Sequence, residues 1–237
     1  MNRPSPVVRW TIGPVSDSGF QSLGLSITSF LHFYPHVEPI VCFNCQPDKI
    51  SWLPDHILRY DQSRHQDDEI KPIGVAWKLY PPRLAPERHE LFIDNDVVFL
   101  EPIPEIDQFF NGDITLLLQG LSRNYGRYEK HVPPGYCINS GIFGCPPGFN
   151  LNKYVKFFGG IAWEENVANR SKTFDEQGIV ALALLQYKKF AIIPDTSVTN
   201  CEMKLINGKG LHFVGVNRNK FHEPFRLFRS RLSKIHL

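Results

Sequence analysis

Two carboxylates separated by one residue, Asp94 and Asp96, lie at the seam between two apolar runs. Charged side chains seldom stand among apolar neighbours unless they have a partner. Residues i and i+2 of an extended backbone project to the same face, so these two carboxylates can bind one cation together. Carboxylate ligands suit a hard divalent ion such as Mg²⁺ or Mn²⁺, with phosphate oxygens and water completing its coordination. The alternative is a bulge or tight turn in which the Asp and Asn side chains bond their own backbone.

Three further polar residues stand in short apolar runs. Asn139 and Ser140 interrupt the extended stretch of residues 137–144, and His212 interrupts residues 210–214. Buried amides and hydroxyls need hydrogen-bond partners, which for Asn139 and Ser140 are either a bound polyol or neighbouring backbone. From its surroundings alone, His212 is more typical of a buried core histidine than of a ligand.

A helix start carries another group of polar side chains. Thr173 and Glu176 have the spacing of a capping box, which predicts a helix with Thr173 as its N-cap. A capping role would occupy the Glu176 carboxylate at the helix end. It would leave Asp175 and Gln177 free to face a pocket above the helix N-terminus.

The polar and aromatic stretch of residues 121–134 is typical of a loop that covers a site. Its cations Arg123, Arg127 and Lys130 either meet an anionic ligand or form a solvated face. The solvated face is the commoner arrangement for such residues and is the one expected here.

Strand and helix patterns alternate through the first hundred residues, which predicts an α/β domain with a mostly parallel sheet and helices on both faces. Ligands of such sheets bind beyond the carboxyl ends of the strands, where Asp94 and Asp96 would lie. The predicted strands are residues 7–12, 37–43, 57–60, 90–94, 113–119, 137–144, 190–193 and 210–214, and the predicted helices are residues 19–33, the first half of 74–84, and 174–187.

The composition is that of an ordinary globular chain, and its 237 residues can bury the core of one α/β domain. A net charge of +2 is too small to favour nucleic acid as the main partner. The chain has no apolar run of about 18 residues, and the polar segment after Met1 lacks the form of a signal peptide. Five cysteines without a framework spacing suit a reducing compartment, so we expect a cytoplasmic protein.

Several short motifs, in their order and spacing, resemble those of the retaining, GT-A-type glycosyltransferases of the glycogenin family and the related bacterial lipopolysaccharide galactosyltransferases. The resemblance covers residues 7–220, and no single motif would suffice. The motifs are Trp77-Lys78-Leu79, Asp94-Asn95-Asp96, residues 138–143 (INSGIF), Glu176-Gln177-Gly178, Ile193-Pro194 with Asn200, and residues 212–215 (HFVG).

This resemblance implies a GT-A (Rossmann-like) fold and a hexosyltransferase that uses a UDP-sugar donor and Mn²⁺ or Mg²⁺, with retention of configuration. It also assigns roles to residues. The implied metal ligands are Asp94, Asp96 and His212; the implied nucleotide and phosphate contacts are Thr11, Gly13, Lys78, Asn95, Gly215 and Lys220; the implied donor-sugar contacts are Asn139, Ser140 and Gln177; and the catalytic candidates are Asp175, Glu176 and Gln177.

The sequence departs from the family pattern at two places. The family's Asp-Gln pair is Glu176-Gln177 here, with Asp175 just before it, so each of the three remains a candidate for the residue that faces the sugar. The family's K-P-W motif after H-F-x-G is missing, and either Arg218 or Lys220 would supply its phosphate-binding cation.

The last residues, 221–237, form a basic segment in which apolar residues recur at steps of three or four. We therefore divide the chain into a glycosyltransferase domain, residues 1–220, and an amphipathic tail, residues 221–237. Such a tail either binds an anionic membrane surface, where a lipid-linked acceptor would be found, or packs on the domain as a terminal helix. The acceptor is expected to be a carbohydrate or a lipid-linked molecule, and the protein is expected in the cytoplasm. Only the first of the two alternatives for the tail would place it peripherally at the inner face of the membrane.

Two other functions remain open. A sugar nucleotidyltransferase also uses a metal-binding acidic pair, but it would carry a Gly-rich basic loop after its first strand, and residues 11–17 contain no Lys or Arg. A non-catalytic member of the fold would bind the nucleotide sugar without turnover, and the Glu176-Gln177 departure is compatible with that alternative.

Overall fold

A computed structural model describes residues 4–62, 78–156, 174–200 and 208–213 of the chain. It contains two sheets and four α-helices within those ranges. The strands are β1 (Val7–Ile12), β2 (Glu38–Phe43), β3 (Leu58–Asp61), β4 (Glu90–Asp94), β5 (Val97–Phe99), β6 (Thr115–Gln119), β7 (Ile138–Cys145), β8 (Phe190–Ile193), β9 (Val198–Asn200) and β10 (Gly210–His212). The helices are α1 (Asp17–Phe33), α2 (Pro104–Asn111), α3 (residues 151–156) and α4 (Asp175–Leu185).

The central sheet has seven strands in the order β3-β2-β1-β4-β7-β6-β8. Strand β7 runs antiparallel to both of its neighbours, and the other pairs are parallel. The predicted mostly parallel sheet is therefore confirmed. A second sheet joins β5, β10 and β9 in that order.

Helices cover both faces of the central sheet. On one face, α1 packs Leu23, Ile27 and Phe30 against the apolar side chains of β1 and β4, because these residues recur at helical spacing and form one stripe. Helix α2 joins the same core. On the other face, α4 packs with Phe92 and Phe143, and residues 175–184 of this helix are all buried.

The observed elements refine the predicted ones. Helix α1 begins two residues earlier than predicted, with Ser16 as its N-cap, and α4 begins after Phe174 rather than after Thr173. Helices α2 and α3 and strands β5 and β9 were not predicted, because the described part of each is short. The predicted helix of residues 74–84 lies outside the described residues up to Trp77.

The apolar runs on either side of the acidic pair belong to different sheets. Strand β4 ends at Asp94 in the central sheet, and β5 begins at Val97 in the small one. The two serines Ser26 and Ser29 of α1 hold this junction, since Ser29 Oγ accepts a hydrogen bond from Phe99 N at 3.1 Å. Ser26 Oγ accepts another from the indole of Trp10 in β1, at 2.9 Å.

Two properties bear on the predicted setting of the protein. Within the described ranges, no helix is both long and apolar enough to cross a bilayer. Four cysteines, Cys42, Cys45, Cys137 and Cys145, are free thiols. Cys201 and the tail of residues 221–237 lie outside the described part of the chain, so the domain division stays a prediction.

Candidate functional site

The acidic pair lies at the carboxyl end of the central sheet, as the sequence predicts. Strands β1 and β4 are parallel and in register, so Thr11 lies beside Asp94. Gly13 follows β1 directly and is buried. The amide of Asn95 donates to the carbonyl of Gly19 at 3.2 Å, so this residue ties the acidic turn to α1.

His212 reaches the acidic pair through the second sheet. It pairs with Val97 in the antiparallel β10–β5 ladder, and Phe213 N donates to Asp96 O at 3.1 Å. Its Nε2 lies 3.4 Å from Asp96 Oδ1 and 3.9 Å from Asp94 Oδ2. More than a hundred residues of sequence thus separate side chains that share one small site.

The ring of His212 rests directly on Gly141 of β7. A methyl group added to this glycine would lie 2.2 Å from Cε1 of the ring and 2.6 Å from Nε2. No real contact is that short, so any side chain at this position would displace the imidazole. Gly141, the glycine of the INSGIF motif, therefore leaves the space that the His212 ring occupies.

The three side chains fit a divalent cation. One ligand atom from each of Asp94, Asp96 and His212 lies within 4.8 Å of the other two. Two atoms that bind one cation at about 2.1 Å lie at most about 4.2 Å apart, so the separations of 3.4 and 3.9 Å are within reach. Two carboxylate oxygens suit a hard divalent cation, with the imidazole nitrogen as a third ligand. The carboxylates are still 28% exposed, which leaves access for a ligand.

A largely buried cation, 14% exposed, bridges two acids beside this cluster. The Lys78 ammonium lies 2.9 Å from Asp94 Oδ1 and 2.9 Å from Glu176 Oε1. Burial by itself would lower the pKa of Lys78, but the carboxylates of Asp94 and Glu176 outweigh burial and hold this pKa above its usual range. Burial raises the pKa of the Glu176 carboxyl, and the Lys78 ammonium offsets this only in part.

Polar groups of β7 and α4 continue the site on the other side of Glu176. Ser140 Oγ donates to Glu176 Oε2 at 3.1 Å, and Ser140 N donates to Gln177 Oε1 at 3.4 Å. Asn139 Oδ1 accepts a hydrogen bond from Gly141 N at 2.7 Å. The ladder between β6 and β7 is irregular here, because Leu118 pairs with Asn139 whereas Leu117 pairs with Phe143. This bulge turns the polar residues of β7 towards α4.

A small cavity opens next to these groups. It has a volume of about 190 Å³, room for roughly six waters. Amide side chains dominate its polar lining, and in the described part of the chain both polar atoms of Asn200 are buried without a hydrogen-bond partner. The amide side chains that line it are Asn124, Asn139, Gln177 and Asn200.

Asp175 and Glu176 differ from what the capping-box interpretation predicts. Asp175 is fully buried and binds Arg127, whose backbone N donates to Oδ1 at 2.8 Å and whose Nε donates to Oδ2 at 2.7 Å. Glu176 faces the site instead, since both of its oxygens lie against Ser140 and Lys78. Asp175 therefore fastens the loop of residues 121–134 to the helix.

Two cations of that loop, Arg123 and Arg127, bind the protein rather than forming a solvated face, whereas Lys130 is exposed. Arg123 donates to four backbone carbonyls between Glu129 and Tyr136, and its Nε donates to Glu129 Oε1 at 3.1 Å. Gln177 Nε2 donates to the carbonyl of Asn124 at 2.7 Å, which joins the loop to the cavity. The loop forms a fixed wall of the site.

Other predicted site residues lie outside the described ranges. Gly215, Lys220 and Arg218, proposed for the diphosphate, are among them. Sequence reasoning also missed one functional candidate inside the described ranges, Arg9 in the middle of β1. The signal was available, because a charged residue inside the apolar strand VVRWTI needs a buried partner.

Three solved structures that superpose on this chain are glycosyltransferases. The apo form of mouse xyloside xylosyltransferase 1 superposes with a TM-score of 0.60 and 11% identity, over 92% of this chain and 99% of that one. The galactosyltransferase LgtC, in complex with donor and acceptor sugar analogues, superposes with a TM-score of 0.59 and 11% identity, over 96% of this chain and 95% of that one. The apo form of the glycosyltransferase GlyE of Streptococcus pneumoniae TIGR4 superposes with a TM-score of 0.60 and 12% identity, over 100% of this chain and 61% of that one.

No protein-family model matches the sequence, and no curated protein sequence matches it. At identities of 11–12%, the structural likeness establishes the fold. The chain has the GT-A fold, as its motifs predict.

Proposed function

We propose that this chain is a metal-dependent glycosyltransferase that moves a hexose from a UDP-sugar to an acceptor hydroxyl with retention of configuration. One observation carries the proposal. In a GT-A fold, Asp94, Asp96 and His212 converge at the carboxyl end of the sheet, next to a lysine that bridges two acids. Retention is included because the motifs resemble those of retaining enzymes.

The residues of the proposed metal site would hold Mn²⁺ or Mg²⁺ against the diphosphate of the donor. When bound, such a cation neutralises the negative charge that develops on the departing diphosphate. The carboxylates of Asp94 and Glu176 raise the pKa of Lys78, which favours its ammonium form, so Lys78 can donate charge-assisted hydrogen bonds to the same phosphate oxygens. Thr11 and Gly13, beside Asp94, would line the nucleotide.

The groups on the other side of Lys78 would face the sugar. Bond cleavage at the anomeric carbon makes the ring oxocarbenium-like, so a nearby carboxylate or amide oxygen stabilises it. Glu176 and Gln177 offer such oxygens, and Ser140 holds both of them in place. Asp175 is left out of this role because Arg127 occupies its carboxylate.

The amide-lined cavity beside Gln177 would receive the acceptor. Its amides supply both donors and acceptors, which suits the hydroxyl groups of a carbohydrate or of the sugar on a lipid-linked acceptor. Because the cavity lies next to the proposed donor-sugar site, its position supports transfer of a hexose between two bound substrates. LgtC has been crystallised with both donor and acceptor sugar analogues, which agrees with a two-substrate site on this fold.

The first test measures the melting temperature with UDP, with and without Mn²⁺. We expect UDP to raise the melting temperature only when Mn²⁺ is present, because the diphosphate and the cation complete one another's binding. Asp96→Ala should abolish this rise. Asp107→Ala, which removes an exposed carboxylate of α2, serves as the control and should keep it. An undiminished rise with Asp96→Ala would remove this residue from the metal site.

The second test separates an enzyme from a non-catalytic binder. A panel of UDP- and GDP-sugars is screened for slow release of UDP or GDP, with Mn²⁺ present and no acceptor added. We expect release from at least one UDP-hexose. Binding of UDP without release from any donor would favour the non-catalytic alternative, and release of pyrophosphate in a reaction with UTP and a sugar phosphate would favour a nucleotidyltransferase.

A further inference from the structure

Arg9 is a fully buried cation in the middle of strand β1 of the central sheet. Its neighbours Val8 and Trp10 are apolar core residues, so the strand itself gives no reason for a charge at this position. Burying a guanidinium is costly unless it is paired and its N–H groups are bonded. The contacts that offset this cost show what the residue holds.

The guanidinium of Arg9 holds three backbone carbonyls of one segment. It donates to Lys78 O at 2.9 Å, to Tyr80 O at 3.1 Å and to Pro81 O at 2.6 Å. The side-chain amide of Gln62 also donates to Tyr80 O. The guanidinium lies over the ring of Phe92 with 4.9 Å to its centroid. The backbone of residues 78–81 is thus attached to the central sheet by hydrogen bonds from Arg9.

A second buried charge fixes the continuation of the same segment. Glu90 of β4 lies 3.6 Å from Arg9 and accepts hydrogen bonds from Arg83 Nε at 2.9 Å and from the backbone N of Leu84 and Ala85. Arg9 and Glu90 therefore act together, with Arg9 holding the part of the segment nearest the site.

These contacts end at the residue whose side chain bridges the site. The carbonyl that Arg9 holds belongs to Lys78, and the Nζ of the same residue lies 2.9 Å from both Asp94 and Glu176. We propose that Arg9 is a positioning residue that places the Lys78 ammonium between the metal site and the sugar site. The inference rests on the proposed function for the role of Lys78, but the attachment itself is independent of any ligand.

The chemistry of arginine suits this role better than that of lysine. A planar guanidinium presents several N–H groups in a fixed arrangement, so it can hold several carbonyls at once, whereas an ammonium on a flexible stem holds fewer. Arg9→Lys keeps the charge opposite Glu90 and removes most of the carbonyl contacts, and Arg9→Met removes both.

The first test needs no nucleotide. Lys78 is labelled with an amine-reactive reagent, and its rate is followed by peptide mass spectrometry well below the melting temperature. We expect Lys78 to react several-fold faster in Arg9→Lys and Arg9→Met than in the wild type. Tyr34→Phe is the control, because it removes a buried hydroxyl bonded to Ile103 N at 2.8 Å, among the α1 side chains that cover one face of the sheet. Labelling of Lys78 that stays unchanged in folded Arg9 variants would overturn the proposal.

The second test asks whether Arg9 acts through Lys78. Arg9→Lys should weaken Mn²⁺-dependent UDP binding about tenfold, as expected for misplacing one charge-assisted contact. In a Lys78→Met background the same change should have no further effect, since coupled residues are not additive. A destabilised but purely structural variant such as Tyr34→Phe should keep full UDP affinity at temperatures where it is folded.

The outcomes separate the inference from the proposed function. If the wild type does not bind UDP, the proposed function fails, and the labelling result still decides whether Arg9 positions Lys78. If the wild type binds UDP and Lys78→Met weakens binding while Arg9→Lys does not, the proposed function stands and the role of Arg9 is refuted. Equal weakening by Arg9→Lys in both backgrounds would also refute it.

Discussion

Asp175 and Glu176 are adjacent in sequence, yet they have different physical roles. Both carboxylates are buried, but Asp175 faces the guanidinium of Arg127, and Glu176 lies between Ser140 and Lys78 at the site. Burial raises the pKa of Glu176, so its ionised form is costly to keep in the folded protein. We therefore infer that the Asp175 carboxylate stabilises the fold and that the Glu176 carboxylate serves the proposed site.

Glu176→Gln should lower activity without lowering stability. Glutamine keeps the shape and the Ser140 contact, removes a buried charge whose ionised form the fold disfavours, and leaves Lys78 its second partner, Asp94. We therefore expect UDP release to fall by about 10²–10³ and the melting temperature to stay equal or rise. The raised pKa of Glu176 also determines how the stability of the folded state changes with pH. This carboxyl favours the folded state at low pH, and that contribution is lost as the pH rises above its ordinary value of 4.5.

Melting curves of the wild type and Glu176→Gln from pH 4.5 to 8, in the presence of a chelator, measure this effect. The melting temperature of the glutamine variant should gain on that of the wild type as the pH rises. A glutamine variant with full donor hydrolysis would show that this carboxylate takes no part in the reaction.

Asp175→Asn should show the opposite pattern. The change removes the carboxylate from a buried ion pair with Arg127, where Nη2 and Oδ2 are 2.7 Å apart. Breaking such a pair costs about 3 kcal/mol, and for a domain of this size that lowers the melting temperature by about 6–12 °C. The affinity for UDP with Mn²⁺, measured below the transition, should not change. A loss of UDP affinity in the folded variant would indicate that Asp175 takes part in the site.

The sequence predicts some of these roles and misses others for a physical reason. Asp94 and Asp96 are visible because their flanks are apolar, and the spacing i, i+2 is local. The opposite assignments of Asp175 and Glu176 depend on which loop packs against the start of α4, and that is a tertiary contact. Arg9 was visible as a buried charge, but its partner, the backbone of residues 78–81, has no side-chain signal in the sequence.

Strand β7 positions the site through a bulge and a glycine. The irregular pairing with β6 exposes Asn139 and Ser140 towards α4, and Gly141 supports the ring of His212. A second glycine of the same strand, Gly144, is packed as tightly, since a methyl group there would lie 2.6 Å from Cζ of Phe109. One glycine serves the proposed metal site, and the other serves the core.

Gly141→Ala should therefore weaken metal binding, and Gly144→Ala should not. The added methyl at Gly141 must push His212 away from Asp96, so we expect the affinity for Mn²⁺, measured by electron paramagnetic resonance titration, to fall at least tenfold. Gly144→Ala should lower stability by about 1–3 kcal/mol through overpacking while keeping Mn²⁺ affinity. Equal Mn²⁺ binding by the two variants would mean that the imidazole is not a ligand.

The positions of the elements were predicted better than their partners. Runs of apolar residues located β1, β4, β7 and β8 closely, because these strands are buried and their pattern is local. The pairing of β10 with β5, which brings His212 to Asp96, joins residues more than a hundred positions apart and depends on the whole fold. The order of the motifs suggested it only through resemblance to known enzymes.

The charge of the whole chain is distributed unevenly along the sequence. Residues 209–237 contain seven Lys or Arg and one Glu, so this end carries +6, and the other 208 residues carry −4 to give the total of +2. A basic segment with an apolar stripe binds anionic lipid by burying its apolar side chains and by electrostatic attraction. The attraction contributes about 1 kcal/mol of binding free energy for each Lys or Arg near the surface. We propose that the tail brings the site to a lipid-linked acceptor.

Deleting residues 221–237 should separate membrane binding from donor chemistry. The truncated chain should bind vesicles containing anionic phosphatidylserine several-fold more weakly than the full chain, and 0.5 M salt should reduce this difference because the attraction is screened. Hydrolysis of a soluble UDP-sugar should stay within about twofold, since Lys78, Glu176 and the acidic pair lie outside the deletion. Neutral phosphatidylcholine vesicles are the control and should bind neither chain. If both chains bind anionic vesicles equally, the tail packs on the domain instead, and its removal should then lower the melting temperature.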